Sequence, residues 1–347
     1  MQPPLLPCCP SPRASPPGSP TLAATAADCD ACALVADDDF WLRFEEIRPL
    51  GRGCFGTVLL VQAREEEESR PLAAKVVVTD DAANALHEAA LLRSLCHPNI
   101  VTLDGVYASE STVFVVMEAE LGGDLSKRAE AEAGGVLSEA DAIGPITGVL
   151  AALCHLHTRH RIVHRDVKAS NILLAADGVT AKIGDFGLAA RLPASGRLTS
   201  VCGTHDFLAP EMIRTGHGEC AGYDCSVDMW AVGLLLHGLL FGSNPFERET
   251  DIETLQAILA GEYAPAEHAP PADRAVGLSA RHLLASLLHV DPERRASAED
   301  AAAHSWVSGE DQRAQGERAQ GDEPVMCSPL GSWRKSRLME RLWARAG

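Results

Sequence analysis

A lysine inside an apolar strand and a carboxylate on an apolar helix face are the first residues that could do chemistry. Lys75 stands in Ala73-Ala74-Lys75-Val76 as the one charge among apolar neighbours. A half-buried ammonium of this kind needs an anionic partner. Thirteen residues on, Glu88 lies in a predicted helical stretch ending near Leu95. Helical spacing puts Glu88, Leu91, Leu92 and Leu95 on one face. Glu88 can therefore turn inward and hold Lys75 against a phosphate. Upstream, Leu50-Gly51-Arg52-Gly53-Cys54-Phe55-Gly56-Thr57-Val58 lies between two predicted strands. Glycine lets backbone amides approach phosphate oxygens with no Cβ in the way. Taken alone, the pattern fits a plain hairpin as well as a nucleotide site. Followed by a helix it would suggest a dinucleotide fold, but the β-favouring run Thr57–Val61 argues against a dehydrogenase.

A second group of residues resolves the choice. His164-Arg165-Asp166-Val167-Lys168-Ala169-Ser170-Asn171 follows Ile162-Val163. Lys182-Ile183-Gly184-Asp185-Phe186-Gly187 comes next, then Ala209-Pro210-Glu211. In this order, over residues 41–306, the chain resembles the eukaryotic protein kinase family of Ser/Thr type. The resemblance implies an α+β, two-lobed fold. A small β-rich N-lobe with one helix would span about 41–117, and a larger, mainly helical C-lobe about 122–306. It also implies ATP and Mg²⁺ as cofactors and protein Ser/Thr hydroxyls as acceptors. A kinase fold serving only as an inactive scaffold is the alternative, disfavoured because every polar position the chemistry needs is filled.

By the same resemblance, the backbone of Gly51, Gly53 and Gly56 covers the phosphates. Lys75 contacts the α and β phosphates, oriented by Glu88. Asp185 and Asn171 offer oxygens to Mg²⁺, a hard cation. Asp166 receives or orients the acceptor's hydroxyl proton, and Lys168 neutralises charge on the moving phosphoryl group. Met117 falls at the gatekeeper position. The Glu118 carbonyl and Glu120 amide would bond the adenine edge. Leu50, Val58, Ala73 and Leu173 would enclose the ring, and Asp124 would meet the ribose. Thr204 is the expected substrate-pocket threonine. Ser200, or in second place Thr199, is the expected activation-loop phosphosite, with Arg165 as its cation. Glu211 would pair with Arg295, and Asp228 would hold the backbone of the catalytic loop.

Four departures stand out. The Lys75-to-Glu88 interval is short for the family, so the helix is expected to lack its first turn and the pair to need help. Ser170 stands where an acid is common, which weakens any preference for basic residues near the acceptor. His205 stands in the usual place of a proline. Met212–Tyr223 reads as a small inserted loop carrying His217 and Cys220. The C-lobe motifs look like those of calcium/calmodulin-dependent or polo-like kinases, whereas the catalytic loop looks more like receptor-like plant kinases. The subfamily stays open.

The flanks differ from the body. Residues 1–39 are rich in Pro, Ser, Ala and Cys without periodicity and read as disordered. Cys29 and Cys32 form a lone C-x-x-C, too few ligands for structural zinc. Residues 308–347 begin as a polar linker and end in Ser332–Ala346, a basic amphipathic helix with Arg334, Lys335, Arg337, Arg341 and Arg345 against Glu340. Such a helix suits calmodulin, an acidic membrane surface or intramolecular docking on the kinase's own acidic body. The 347 residues carry a net charge of −18, which argues against general nucleic-acid binding. No run of apolar residues is long enough for a transmembrane segment. The N-terminus lacks a secretory pattern, and eleven scattered cysteines suit a reducing compartment. A cytoplasmic location is expected, with the nucleus also compatible. An acid-free stretch over residues 1–27 leaves organelle targeting as a minor alternative.

Overall fold

A computed structural model describes residues 32–34, 37–53, 56–64, 70–78, 82–109, 112–132, 134–262 and 276–308. The expectations for residues 1–31, the polar linker from 309 and the basic helix 332–346 fall outside the described residues. The chain forms two compact units. The smaller runs to Leu121 and takes in Gly184–Ala189, and the larger holds Gly122–Ile183 and the chain from Ala190 onward. The Asp185-Phe186-Gly187 segment therefore packs with the small unit rather than with the C-lobe, where its sequence position had put it. The contacts that hold it there are given below.

In the small unit, β1 (Cys32–Leu34), α1 (Asp37–Arg43), β2 (Phe44–Gly53), β3 (Gly56–Ala63), β4 (Leu72–Val78), α2 (Ala82–Arg93), β5 (Leu103–Ala108) and β6 (Thr112–Glu118) follow in order. The sheet order is β1-β5-β6-β4-β3-β2, antiparallel except for β1 beside β5. Strand β5 escapes the sequence reading because Asp104-Gly105 looks like a turn. A register shift between Leu103 and Gly105 absorbs it. The hairpin β2–β3 pairs Gly53 with Gly56. Gly56 has φ +137°, and a Cβ there would lie 2.2 Å from the Val76 carbonyl oxygen. That glycine is thus required by strand packing as well as by any phosphate.

Register decides which side chains share a face. Ala73 opposes Leu60 and Met117, while Lys75 opposes Val58 and Val115. Because strands alternate, these six side chains lie on one face. The other face carries Val61, Ala74, Phe114 and Val116, which form a core with Phe40, Phe44, Leu72 and Tyr107. The runs in β4 and β6 are nearly continuously apolar, a pattern that demands cover on both faces. Phe40 of α1 supplies it, stacked on Phe114 with ring centroids 3.9 Å apart. Arg64 staples the end of α1 by donating to the carbonyls of Trp41 at 3.0 Å and Phe44 at 3.2 Å. Regular structure thus starts before residue 41, the expected boundary, with β1 inside the segment read as disordered and α1 beginning in it.

In the large unit, α3 (Leu125–Ala131) and α4 (Glu139–Cys154) precede the short pairs β7 (Ile162–Val163) with β10 (Ala190–Arg191), and β8 (Ile172–Leu174) with β9 (Ala181–Ile183). Helices α5 (Pro210–Gly216), α6 (Ser226–Phe241), α7 (Asp251–Ala260), α8 (Leu278–Leu287), α9 (Ala298–Ala302) and α10 (Ser305–Ser308) complete it. Helix α6 is apolar nearly all round and accordingly buried along its length. Met212–Gly216, expected as part of an inserted loop, instead continues α5. Pro210 at its first turn and the buried Met212 and Ile213 explain why.

Candidate active site

Each unit assembles its own group of polar residues. In the small unit, β4 aims Lys75 and α2 aims Glu88 at one another. Lys75 Nζ donates to Glu88 Oε2 at 2.8 Å and to Asp185 Oδ1 at 2.9 Å. The Phe186 backbone N–H donates to Glu88 Oε1 at 3.2 Å. Those bonds, with the buried Phe186 ring, fasten residues 184–189 to this unit. Helix α2 begins at Ala82, and the pair closes within the chain's own short interval. Burial alone would lower the Lys75 pKa, but the Glu88 and Asp185 charges outweigh it and hold the ammonium above its usual value. Asp185 sits at φ 54°, a left-handed conformation that Asp tolerates better than most residues. Its carboxylate remains 35% exposed.

On the same sheet face, Ala73 and Met117 are buried and Val58 is half-buried, while Leu50, at a register shift in β2, is also half-buried. The Glu118 side chain accepts the Thr102 N–H at 2.7 Å, and its own N–H donates to the Thr102 carbonyl at 3.0 Å. That carboxylate is therefore structural. Glu120 is half-buried two residues on.

In the large unit, Asp166 stands at the centre of a closed network. Thr204 Oγ1 donates to Asp166 Oδ1 at 3.0 Å, and Lys168 Nζ lies 2.9 Å from Oδ2. Lys168 also donates to Thr204 Oγ1 at 3.1 Å. The Asn171 amide nitrogen donates to the Asp166 carbonyl and to Oδ2, both at 2.8 Å. The opposite amide orientation would set oxygen against oxygen, so Oδ1 of Asn171 is the atom left to accept a cation. Asn171 in the large unit and the Asp185 carboxylate in the small unit each offer a hard oxygen, the donor type that Mg²⁺ prefers.

The loop carrying Asp166 is held from below. Asp228 accepts the backbone N–H groups of His164 and Arg165, each at 2.8 Å, and its Oδ2 lies 2.8 Å from His157 Nε2. Burial would raise the Asp228 pKa, but the bond and charge from His157, with the other donors, bring it below the ordinary carboxylate value. Arg165 stands there at the left-handed φ 66°. Glu211 and Arg295 form the expected pair, bidentate at 2.6 and 2.9 Å, with both side chains buried. Arg165 Nη1 reaches Ser200 Oγ at 2.8 Å. Thr199 is exposed nearby in the chain.

Asp124, the residue expected at the ribose, is engaged within the large unit. Its Oδ1 caps α3 by accepting the Lys127 N–H at 3.0 Å and also takes the Ser126 hydroxyl, while Oδ2 pairs with Lys127 Nζ at 2.7 Å. A ribose would have to share that carboxylate. Leu173 is half-buried in β8. Two residues escape the sequence reading altogether. His157 and Tyr223, the latter bonded to Arg165 at 3.2 Å, meet partners 71 and 58 residues away. No local pattern marks either one.

Comparison with known proteins agrees with this geometry. Residues 44–307 match the protein kinase domain family. The chain belongs to that family and is a protein serine/threonine kinase with the two-lobed kinase fold. It is 35% identical over 280 residues to Aurora/IPL1-related protein kinase 2 of Caenorhabditis briggsae, covering 76% of this chain and 83% of the relative. It is 36% identical over 270 residues to calcium/calmodulin-dependent protein kinase type 1B of Rattus norvegicus, covering 76% and 75%. An Aurora kinase of Patiria pectinifera is 34% identical over 270 residues, covering 76% and 62%. Two kinase groups match about equally, and the subfamily is not narrowed further.

Proposed function

We propose that Asp166 orients and takes the proton of a Ser or Thr hydroxyl while the γ-phosphoryl group of ATP is transferred to it. The single observation behind this reading is the closed network of Asp166, Lys168, Asn171 and Thr204. It holds one carboxylate oxygen by a hydroxyl and the other by an ammonium group, so the side chain is fixed in one orientation, as a positioned proton acceptor requires. Lys168 offsets charge on the transferring group. Lys75 contacts the α and β phosphates, and Glu88 keeps its ammonium charged and aimed. Gly51, Gly53 and Gly56 cover the phosphates. Leu50, Val58, Ala73 and Met117 of the small unit contact the adenine, whose edge bonds the Glu118 carbonyl and Glu120 amide, and Leu173 is the large unit's adenine residue. Asp185 and Asn171 would hold Mg²⁺, which when bound offsets phosphate charge.

Incubating the purified chain with labelled ATP, Mg²⁺ and a serine peptide tests this. Label should enter the peptide and should not with Asp166→Asn. Nucleotide binding with no transfer by the wild type would favour the scaffold reading.

Ser200 is the proposed regulatory phosphosite. Its hydroxyl already accepts from Arg165, and a phosphate there would exchange a neutral acceptor for one of about −1.5 to −2 charge. Phosphopeptide mapping of protein isolated from cells that finds Ser200 and Thr199 bare under every condition would remove this reading. For residues 332–346, calmodulin is the proposed partner. The basic amphipathic pattern supports it, as does likeness to a kinase named for calcium/calmodulin dependence. A 328–347 peptide that fails to bind calcium-loaded calmodulin would exclude it.

A further inference from the structure

Tyr223 is fully buried, yet its phenol lies among polar atoms. Arg165 Nη1 donates to the Tyr223 hydroxyl at 3.2 Å and to Ser200 Oγ at 2.8 Å. The phenol in turn donates to the Ser200 carbonyl in a short hydrogen bond. Beside this, the Leu198 N–H donates to the Tyr223 carbonyl at 2.8 Å, and the Tyr223 N–H returns a bond to Leu198 at 2.9 Å. Gly222 makes that approach feasible. Its φ is +135°, and a Cβ would stand 2.6 Å from the Leu198 carbonyl oxygen. Arg197 adds an ion pair with Asp224 at 3.5 Å, exposed and so worth little by itself.

Residues 197–200 are therefore seated on the loop before α6 by groups of the unmodified chain. Arg165, a cation suited to a phosphate, has the phenol and the Ser200 hydroxyl as acceptors. Burial pushes the Tyr223 pKa up, and the Arg165 charge only partly opposes it. The phenol thus stays protonated at neutral pH and can accept from Arg165 while donating to Ser200. Four residues beyond Ser200, Thr204 bonds Asp166. Arg165 itself precedes Asp166 in the chain. Order at Ser200 is thereby passed to the carboxylate from two directions.

We propose that Tyr223 is a positioning residue for phosphoryl transfer, its hydroxyl bridging Arg165 to Ser200 so that residues 197–204 are set for substrate before Ser200 is modified. The inference rests on the reading of Asp166 and Ser200 given above. It makes Ser200 phosphorylation a change of small amplitude, because the phosphate binds a segment already in place.

The test uses the full chain treated with phosphatase, a serine peptide and MgATP. Treated wild type should keep kcat within about threefold of protein carrying phosphoserine at position 200. Treated Tyr223→Phe should lose about tenfold in kcat with ATP KM changed less than about twofold, as expected for one hydrogen bond to a charged group. Phosphoserine at position 200 in the Tyr223→Phe chain should restore most of the loss, since it offers Arg165 a stronger acceptor. The proposal is overturned if Tyr223→Phe equals wild type, if phosphoserine does not restore it, or if treated wild type falls by more than about thirtyfold. That last result would leave the Ser200 reading standing. Conversely, Ser200→Ala matching phosphorylated wild type would remove the regulatory reading and leave Tyr223 in place. Should Tyr223→Phe not fold, amide hydrogen exchange in treated wild type decides: slow exchange over residues 198–203 supports the proposal, and exchange at the free-chain rate overturns it.

Discussion

Asp228 accepts the backbone N–H of Arg165 at 2.8 Å across 63 residues of chain, and Arg165, the residue before Asp166, stands there in a left-handed conformation. A non-glycine residue in that region costs on the order of 1–3 kcal/mol. A fully buried carboxylate with several donors around it can hold the strain in place. The position of the proposed catalytic carboxylate is therefore set from the core of the large unit.

Asp228→Ala should strip the bonds from His164, Arg165 and His157 together. The expected cost is about 3–5 kcal/mol, as for breaking a buried charged pair. Urea unfolding would show it as a lower midpoint with kcat reduced in whatever folds. The depressed Asp228 pKa adds a pH dependence. Its folded value lies below the unfolded value of about 3.9, so its stabilisation is present above that pH and is lost as pH falls through the folded value. Asp228→Asn should flatten that acid limb in melting curves. An unchanged limb would refute the assignment.

Lys75→Met should lower phosphoryl transfer by about 10²-fold or more, the scale of losing one preorganised charge on the transferring group. It also leaves Glu88 buried beside Asp185 without its cation, so a lower Tm is expected. Glu88→Gln keeps an oxygen for the Phe186 N–H. It should therefore cost less stability than Glu88→Ala, while kcat/KM for ATP still falls. Differential scanning calorimetry beside steady-state kinetics separates the two effects.

Asp166→Asn should reduce kcat about 10²–10⁴-fold, the usual range for a general base, with nucleotide affinity little changed. Its one oxygen can keep the Lys168 ammonium and Asn171 amide, both held on Oδ2, only by turning its NH₂ toward the Thr204 hydroxyl. Isothermal titration with an ATP analogue and a kinetic assay on the same sample check both halves of the statement.

Phe40→Ala should destabilise the small unit by about 3–5 kcal/mol, the range for removing a fully buried aromatic ring. The side chain stacks on Phe114 on the sheet face away from Lys75, so kcat of the remaining folded protein should stay near wild type. A chain truncated before Phe44 should behave alike. If either change lowers kcat as much as it lowers stability, the two faces of the sheet are not independent.

The motifs were legible because each is local. A glycine hairpin, a strand lysine and the loop from His164 to Asn171 are contiguous and carry their own constraints. The strands β2, β3, β4 and β6 and the helix α2 were likewise visible as runs of period 2 or 3.6. What escaped depends on distant partners. Strand β5 hides behind Asp104-Gly105, and α1 belongs to the fold only because the far face of the sheet needs an apolar cover. Residues 184–189 join the small unit through Lys75 and Glu88, contacts that sequence position alone placed elsewhere.

By itself the sequence determined which chemistry is available: which residue types occur, in what order, and hence which family the chain joins. Only the tertiary structure decided that the Lys75–Glu88 pair closes despite its short interval, and that His157 and Tyr223 brace the loops around Asp166. The reason is that motif identity is written over a few adjacent residues. A hydrogen bond between groups 58 or 71 residues apart exists only once the core between them has packed.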